Sequence, residues 1–207
     1  MRLQNPFASL STAGLDSQVL TVLARSNQYL TIQQIHQLLP ETGSLAGVRH
    51  PISRLVAQGT VLERVTGRTS GYALNKDHLL IEPILQIANA KKTLIERISE
   101  TITSWSHQPL TVQLFGSAAR NDMETDSDID ILFVFDESTD DQETYTNINQ
   151  LTQQVSRWTG NDVRPLVYSE SEVEPAPIFD SVLREGIPIS GNPNWLRQHI
   201  RRSRQSA

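Results

Sequence analysis

Two stretches decide the fold of this chain, Phe115-Gly116-Ser117-Ala118-Ala119-Arg120 and Ser127-Asp128-Ile129-Asp130-Ile131-Leu132. The apolar residues around the two aspartates predict a buried strand over 128–135. Asp128 and Asp130 are two residues apart, so both side chains leave the same face of that strand. Two like charges on a buried strand are costly unless a cation neutralises them. Because carboxylates are the hard ligands that Mg²⁺ prefers, the pair predicts a site for Mg²⁺ or Mn²⁺.

The first stretch predicts a phosphate-binding turn between a strand and a short helix. Gly116 lets a phosphate approach the backbone closely, because glycine has no side chain. The Ser117 hydroxyl and the first amides of the helix can hold phosphate oxygens. Arg120, one turn further along, adds a charged contact to the expected nucleotide site.

Together the two stretches resemble the nucleotidyltransferase family of DNA polymerase beta, and most of all its minimal prokaryotic members. The resemblance spans about 110–191 and includes the ending Arg184-Glu185-Gly186-Ile187-Pro188. It implies metal-dependent transfer of a nucleoside monophosphate from a nucleoside triphosphate to a hydroxyl, with release of pyrophosphate. In that case Asp128 and Asp130 ligate the metal and Gly116 and Ser117 bind the triphosphate. Minimal members often work beside a helical partner protein, which indicates a toxin–antitoxin setting.

The chain departs from the family pattern at the third carboxylate. The family usually carries this residue on the next strand, and the match places Arg164 there. Asp162 lies two residues earlier and faces the same side in a regular strand, so it is the candidate catalytic substitute. Arg164 then becomes a nucleotide contact. If Asp162 does not substitute, nucleotide binding survives and catalysis is in doubt.

The C-terminal half is predicted to alternate strands and helices. Strands are predicted over 111–115 and 163–168, the second at a sheet edge because of Pro165. A helix over 145–158 precedes Gly160, and another ends at Gly186 before a short extended segment. The acidic run 136–143 is expected to be a solvated loop. The tail is expected to be disordered, with a phosphate-binding arm as the alternative, and its basic residues are Arg197, Arg201, Arg202 and Arg204.

The N-terminal part predicts three helices and a hairpin. The first helix enters through Asp16 or Ser17, Thr31 caps the second, and Pro51 delays the third to about Arg49. Two strands, 61–65 and 72–74, follow with a loop over 66–71. This order resembles the winged-helix family of DNA-binding domains, and it implies that double-stranded DNA is contacted by Arg49, His50, Ser53, Arg54 and Arg68.

The predicted fold class is α+β, with four segments. They are a winged helix-turn-helix over 1–75, a helical connector over 76–108, a mixed-sheet nucleotidyltransferase domain over 109–192 and a basic tail over 193–207. The connector is expected to be one long helical segment that packs on the next domain. The alternative is that it forms a homodimer.

Charge divides the chain in the same way. Residues 1–75 carry a net charge of +3, and residues 76–207 carry −8. A basic front and an acidic back indicate different partners for each. The chain has no cysteine, which excludes disulfides and Cys-ligated zinc and fits the cytoplasm. No apolar run reaches membrane-spanning length, so no membrane partner is expected.

Two functions follow from these patterns. The first is an enzyme that transfers a nucleotide to a protein, a nucleic acid or a small molecule. The second is a DNA-binding regulator or antitoxin whose nucleotidyltransferase domain only senses nucleotide. The intact Gly-Ser and Asp-x-Asp elements favour the first, and Arg164 favours the second.

Overall fold

The computed structural model of the chain describes residues 1–10, 15–136 and 142–206. The chain divides into two compact units, Met1–Lys91 and Lys92–Ala207. Within the described residues, no helix is long and apolar enough to cross a membrane. Most of the acidic run predicted as a solvated loop, 137–141, lies outside the described residues.

The described part of the first unit contains mainly helices and a hairpin. After a 3₁₀ turn at Pro6–Ser9, its elements are α1 (Asp16–Ala24), α2 (Ile32–Gln37), α3 (Leu45–Ala57), β1 (Val61–Thr66), β2 (Thr69–Leu74) and α4 (Ile81–Ala88). Their apolar faces form one core, which includes Val19, Leu23, Ile35, Val48, Ile52, Val61 and Ile84. The predicted order of three helices and a hairpin is therefore present.

Local hydrogen bonds explain where these helices begin. Thr31 caps α2 as predicted, in a capping box with Gln34. The prediction that Pro51 delays α3 was wrong, because α3 begins at Leu45. The Ser44 hydroxyl accepts a hydrogen bond from the Gly47 N–H at 3.0 Å and fixes this earlier start. Pro51 is buried inside the helix, where burial of its ring offsets the missing hydrogen bond.

The hairpin is tighter than predicted. Strands β1 and β2 pair antiparallel from Val61↔Leu74 to Thr66↔Thr69, which leaves a turn of two residues, Gly67 and Arg68. Gly67 has φ +62°, a left-handed conformation typical of such turns. The two strands are consequently longer than the sequence indicated.

The segment predicted as one long helix is interrupted. Helix α4 ends at Ala88, and α5 (Ala90–Thr103) follows after Asn89. Asn89 leaves the helical conformation with φ −89° and ψ 9° and caps α4 through its backbone N–H. Asparagine favours such positions because its amide competes with backbone hydrogen bonding.

The second unit contains a four-stranded mixed sheet. Its remaining elements are β3 (Thr111–Phe115), α6 (Gly116–Arg120), β4 (Ile129–Phe135), α7 (Gln142–Thr159), β5 (Val163–Ser169), a 3₁₀ turn at Glu170–Glu172, α8 (Pro177–Glu185), β6 (Ile187–Gly191) and α9 (Trp195–Ser206). The strand order is β5-β4-β3-β6. Strands β4 and β5 are parallel, and the other pairs are antiparallel. The α+β class with a mixed sheet is therefore confirmed, and β5 is an edge strand, as Pro165 predicted.

The two faces of this sheet are covered differently. Leu132 and Val134 of β4 pack in a core that includes Phe179 and Val182 of α8. The alternate residues of β4 are equally buried, and Phe133 stacks on Trp105 with ring centroids 6.2 Å apart. Strand β4 is therefore buried on both faces, as its apolar sequence predicted.

The predicted disorder of the basic tail was wrong. Leu196 and Ile200 lie four residues apart on α9 and are 0% and 2% exposed in the core shared with α8. This apolar stripe folds the segment as a helix, while the arginines remain on its outer side. Arg204 forms an ion pair of 2.8 Å with Asp180 of α8.

Candidate active site

The turn that ends β3 lies directly against Asp130. Gly116 has φ +69°, a conformation that L side chains rarely adopt. A Cβ atom added at Gly116 would lie 2.4 Å from Oδ2 of Asp130. Antiparallel pairing of Phe115 with Asp130 brings the two elements together. The residue at 116 is therefore glycine for two reasons, its backbone conformation and its contact with this carboxylate.

Asp130 is a half-buried carboxylate on a buried strand. It accepts no hydrogen bond from the described residues. Burial, the largest effect, raises the pKa of its carboxyl, and the charge of Asp128 raises it further. Arg164 and Arg120 lower the same pKa but do not cancel the increase. Asp130 is thus an incompletely compensated charge, of the kind that marks functional sites.

Arg164 supplies a positive charge beside the two aspartates. The parallel register pairs it with Asp130, and its Nη2 atom lies 2.6 Å from Oδ2 of Asp128. The Asp128 side chain is 21% exposed, whereas the Arg164 side chain is 71% exposed. The ion pair therefore joins a largely buried carboxylate to a guanidinium that is mostly in solvent.

Asp162 lies in a different environment from Arg164. It precedes β5, and its backbone carbonyl accepts a hydrogen bond of 2.8 Å from the Ile129 N–H. Its side chain is exposed and lines a groove of about 380 Å³ with Thr152, Gln153, Ser156 and Arg157 of α7. Asp162 is not among the groups that shift the pKa of Asp130.

The two polar residues of α6 differ in their partners. The Ser117 hydroxyl forms no hydrogen bond within the described part of the chain, so it is available to a ligand. Arg120 is held by two carboxylates, with Nε 3.0 Å from Asp122 and Nη1 2.7 Å from Glu185. These contacts raise the pKa of the Arg120 guanidinium.

Two residues that position the site were not predicted from the sequence. Buried Asn161 donates a hydrogen bond of 2.9 Å to the carbonyl of Ser127, so it holds the loop that presents Asp128. Glu185 holds Arg120 from the end of α8. Gly160-Asn161 after a helix indicates a turn. The hydrogen-bond partner of Asn161 lies 34 residues away, so a local sequence pattern does not predict it.

The donor set suits one hard cation. Asp128 and Asp130 offer carboxylate oxygens, and Asp130 lacks hydrogen-bond donors that would otherwise satisfy it. Within the described residues there is no cluster of three or more His, Cys, Asp or Glu side chains that could hold a metal ion. The protein therefore provides two carboxylates, with the Arg164 guanidinium beside them.

The residues predicted to contact DNA lie in the first unit. Arg49, His50 and Ser53 are exposed on α3, and Arg68 is exposed at the hairpin turn. Arg54, also on α3, forms an ion pair with Asp16 of α1. Arg64 of β1, which the sequence analysis did not include, lies over the ring of Tyr29 at 5.8 Å from its centroid.

The sequence model of the family described as "Polymerase beta, Nucleotidyltransferase" matches residues 84–193, more than half of the chain. The chain belongs to this family. The matched range includes the candidate site residues Gly116, Ser117, Asp128, Asp130 and Arg164. No curated protein sequence matches the chain.

Three solved structures are similar to parts of the chain. One is a toxin–antitoxin with AMP-PNP, at TM-score 0.41 and 17% identity over 54% of this chain and 85% of that chain. Another is a tri-AMPylated Shewanella oneidensis HEPN toxin in complex with MNT antitoxin. It has a TM-score of 0.38 and 15% sequence identity, and the match covers 56% of this chain and 85% of that chain. The third, a minimal nucleotidyltransferase, has a TM-score of 0.34 and 31% sequence identity, and the match covers 47% of this chain and 94% of that chain. The family assignment rests on the sequence match over 84–193.

Proposed function

We propose that the nucleotidyltransferase transfers a nucleoside monophosphate from a nucleoside triphosphate to a hydroxyl acceptor, and that transfer depends on Mg²⁺ or Mn²⁺. The observation that carries this proposal is the contact between the Gly116 turn and Asp130, next to Asp128. A phosphate-binding turn and two carboxylates are the parts that positioning and charge stabilisation require in phosphoryl transfer.

Each residue has a defined part in this reaction. The turn at Gly116 and the free hydroxyl of Ser117 bind the triphosphate, and Asp128 and Asp130 would hold the divalent ion. The bound ion would supply positive charge to the phosphates. The acceptor oxygen attacks the α-phosphorus as the bond to the β-phosphate oxygen breaks. Pyrophosphate leaves, and the acceptor proton passes to a base.

Asp162 is the candidate for that base or for a third metal ligand. In either role Asp162→Asn should abolish transfer, whereas retained transfer would mean that this exposed side chain in the groove beside α7 has no catalytic part. Arg120 is held by Asp122 and Glu185, which favours a supporting role for it near the phosphates.

Transfer of label from an α-labelled nucleoside triphosphate tests the proposal. Acceptors are the protein itself, RNA and a co-expressed helical partner protein. Asp128→Asn and Asp130→Asn should each reduce incorporation at least about a hundredfold. Asp180→Asn, which removes an exposed carboxylate from α8, is the matched control. Equal incorporation by the parent and Asp128→Asn would refute the mechanism.

A second candidate function is nucleotide sensing, and the Arg164–Asp128 ion pair favours it. In that case calorimetry should show that the parent protein binds a magnesium–nucleotide complex and that Asp130→Asn does not. The parent protein should transfer no label to any acceptor. The family resemblance supports a helical partner protein in a toxin–antitoxin pair for either function.

We propose further that the first unit is a winged-helix domain that binds double-stranded DNA. The order of α1, α2, α3 and the hairpin supports this, together with exposed Arg49, His50, Ser53 and Arg68. Phosphate contacts release counterions, so affinity for a duplex should fall steeply between about 50 and 200 mM salt. Fluorescence anisotropy of a labelled duplex measures this, and salt-independent binding would contradict the proposal.

A further inference from the structure

The Arg164 guanidinium and the predicted cation compete for the same carboxylate. Its Nη2 atom is 2.6 Å from Oδ2 of Asp128, and the strand register sets Arg164 beside Asp130 as well. A cation on these two carboxylates would sit next to the positive charge of Arg164. Like charges at such separations repel strongly where water is partly excluded.

The exposure of the two partners indicates which one moves. Asp128 is 21% exposed, and its loop is held by the hydrogen bond from Asn161 to Ser127. Arg164 is 71% exposed on the edge strand β5, so its long side chain can leave Asp128 without disturbing the core. An ion pair with so much exposure is weak enough to exchange.

Arg164 is also the arginine that is suited to a triphosphate. Arg120 already contacts Asp122 and Glu185, whereas Arg164 forms its ion pair among the described residues with Asp128. A guanidinium offers five donors in a planar fork that matches phosphate oxygens. A triphosphate bound at the Gly116 turn, which touches Asp130, would lie close to Arg164.

We propose that Arg164 makes metal binding depend on nucleotide. Without nucleotide, its guanidinium occupies Asp128 and keeps divalent ions out. When the metal–nucleotide complex binds, Arg164 moves from Asp128 to the triphosphate, and Asp128 becomes a metal ligand. Arg164 is thus a positioning residue for the metal and a contact for the nucleotide. This inference rests on the proposed nucleotide site.

Mn²⁺ binding to the full chain tests the inference without any measurement of activity. Without nucleotide, Arg164→Gln should bind Mn²⁺ about tenfold more tightly than the parent, and Arg164→Lys should resemble the parent because it keeps the charge. Arg157→Gln, which removes a neighbouring exposed arginine on α7, is the control and should also resemble the parent. Paramagnetic resonance of free Mn²⁺ provides the measurement.

Nucleotide binding should change in the opposite direction. With Mn²⁺ present, Arg164→Gln should bind a non-hydrolysable nucleoside triphosphate analogue about tenfold more weakly than the parent, because a phosphate contact is lost. If the role of Arg164 were purely structural, Arg164→Gln would bind both Mn²⁺ and the nucleotide analogue more weakly. Unchanged or weaker Mn²⁺ binding by folded Arg164→Gln, checked by its thermal midpoint, overturns the inference.

The double variant Arg164→Gln/Asp128→Asn separates this inference from the proposed function. It should lose the gain in Mn²⁺ affinity, and a gain that persists would overturn the role of Asp128. If Mn²⁺ affinity rises in Arg164→Gln but no variant transfers label, the control by Arg164 stands and the transferase function fails.

Discussion

Each unit of the chain contains an arginine–aspartate ion pair, and the two pairs differ in what surrounds them. Arg54 and Asp16 in the first unit are 56% and 26% exposed, and Arg164 and Asp128 in the second are 71% and 21% exposed. These similar exposures predict similarly weak pairs. However, Asp128 has Asp130 as a neighbour on a buried strand, whereas Asp16 is the first residue of a helix, where a negative charge is favourable in any protein.

Exposure alone therefore does not identify a functional ion pair. At Asp130, burial opposes ionisation and the local charges fail to compensate for it. A folded protein retains such a group at a cost, so it indicates function. The arginines predicted to contact DNA, Arg49, Arg54 and Arg68, are exposed and carry no such burial cost. Their proposed role in DNA binding rests on element order and charge.

The largest expected effect is a loss of stability on substitution of the glycine at the candidate active site. Gly116→Ala places a Cβ in a left-handed conformation and against Oδ2 of Asp130, so we expect a loss of about 3 kcal/mol in the free energy of unfolding. Gly160→Ala has the same strain but meets no atom within 4 Å, and should lose only about 1 kcal/mol. Chemical denaturation compares the two, and equal losses would mean that the contact with Asp130 is unimportant.

In the first unit, substitution of exposed arginines should weaken DNA binding without lowering stability. Arg49 and Arg68 are exposed, so the double variant Arg49→Ala/Arg68→Ala should weaken duplex binding by about 2 kcal/mol. Its thermal midpoint should stay within about 2 °C of the parent. Arg197→Ala, an exposed change on α9, controls for the loss of charge. Unchanged duplex affinity in the double variant would remove these two residues from the interface.

Asp16→Asn tests whether the ion pair of the first unit is structural. The loss of an exposed pair and of a charge at the start of α1 should cost about 0.5 kcal/mol of unfolding free energy. Because Arg54 is released, duplex affinity should rise about two- to threefold. Glu82→Gln removes an exposed charge from α4 as a control. A fall in duplex affinity would show that Asp16 orients Arg54 for binding.

The smallest effect concerns Lys91 at the end of the first unit. Burial and the neighbouring charge of Arg25 lower the pKa of its ammonium group to about 8. Between this value and its ordinary pKa the folded protein binds fewer protons than the unfolded chain, so stability rises with pH across that window. Below pH 8 both states are charged, and the folded protein carries the cost.

Lys91→Met should therefore be more stable than the parent at pH 7, by about 0.5 kcal/mol after allowance for the partial exposure of Lys91. The difference should shrink as the pH rises from 8 towards 10. Lys92→Met is the control, since Lys92 is 75% exposed in an ion pair with Glu96. Thermal denaturation at several pH values measures the difference, and a pH-independent gain would point to packing alone.

Local sequence determined much of this protein. The turn at Gly116, the buried strand with Asp130, the cap at Thr31 and the edge position forced by Pro165 all follow from interactions within a few residues, and the structure confirms them. The apolar stripe of Leu196 and Ile200 was also local information. It was missed because the surrounding arginines dominated the composition of the tail.

Tertiary structure decided which charges meet. The register of β4 against β5 pairs Asp130 with Arg164, and it joins segments that are 34 residues apart. Asp162 immediately precedes β5, and only the folded chain brings it into a groove with residues of α7. Arg120, predicted as a nucleotide contact, is held by Glu185, which is 65 residues away and which no local pattern indicates as a partner. Backbone periodicity is a local property, whereas ion pairs between distant elements depend on strand register and packing, which no short pattern encodes.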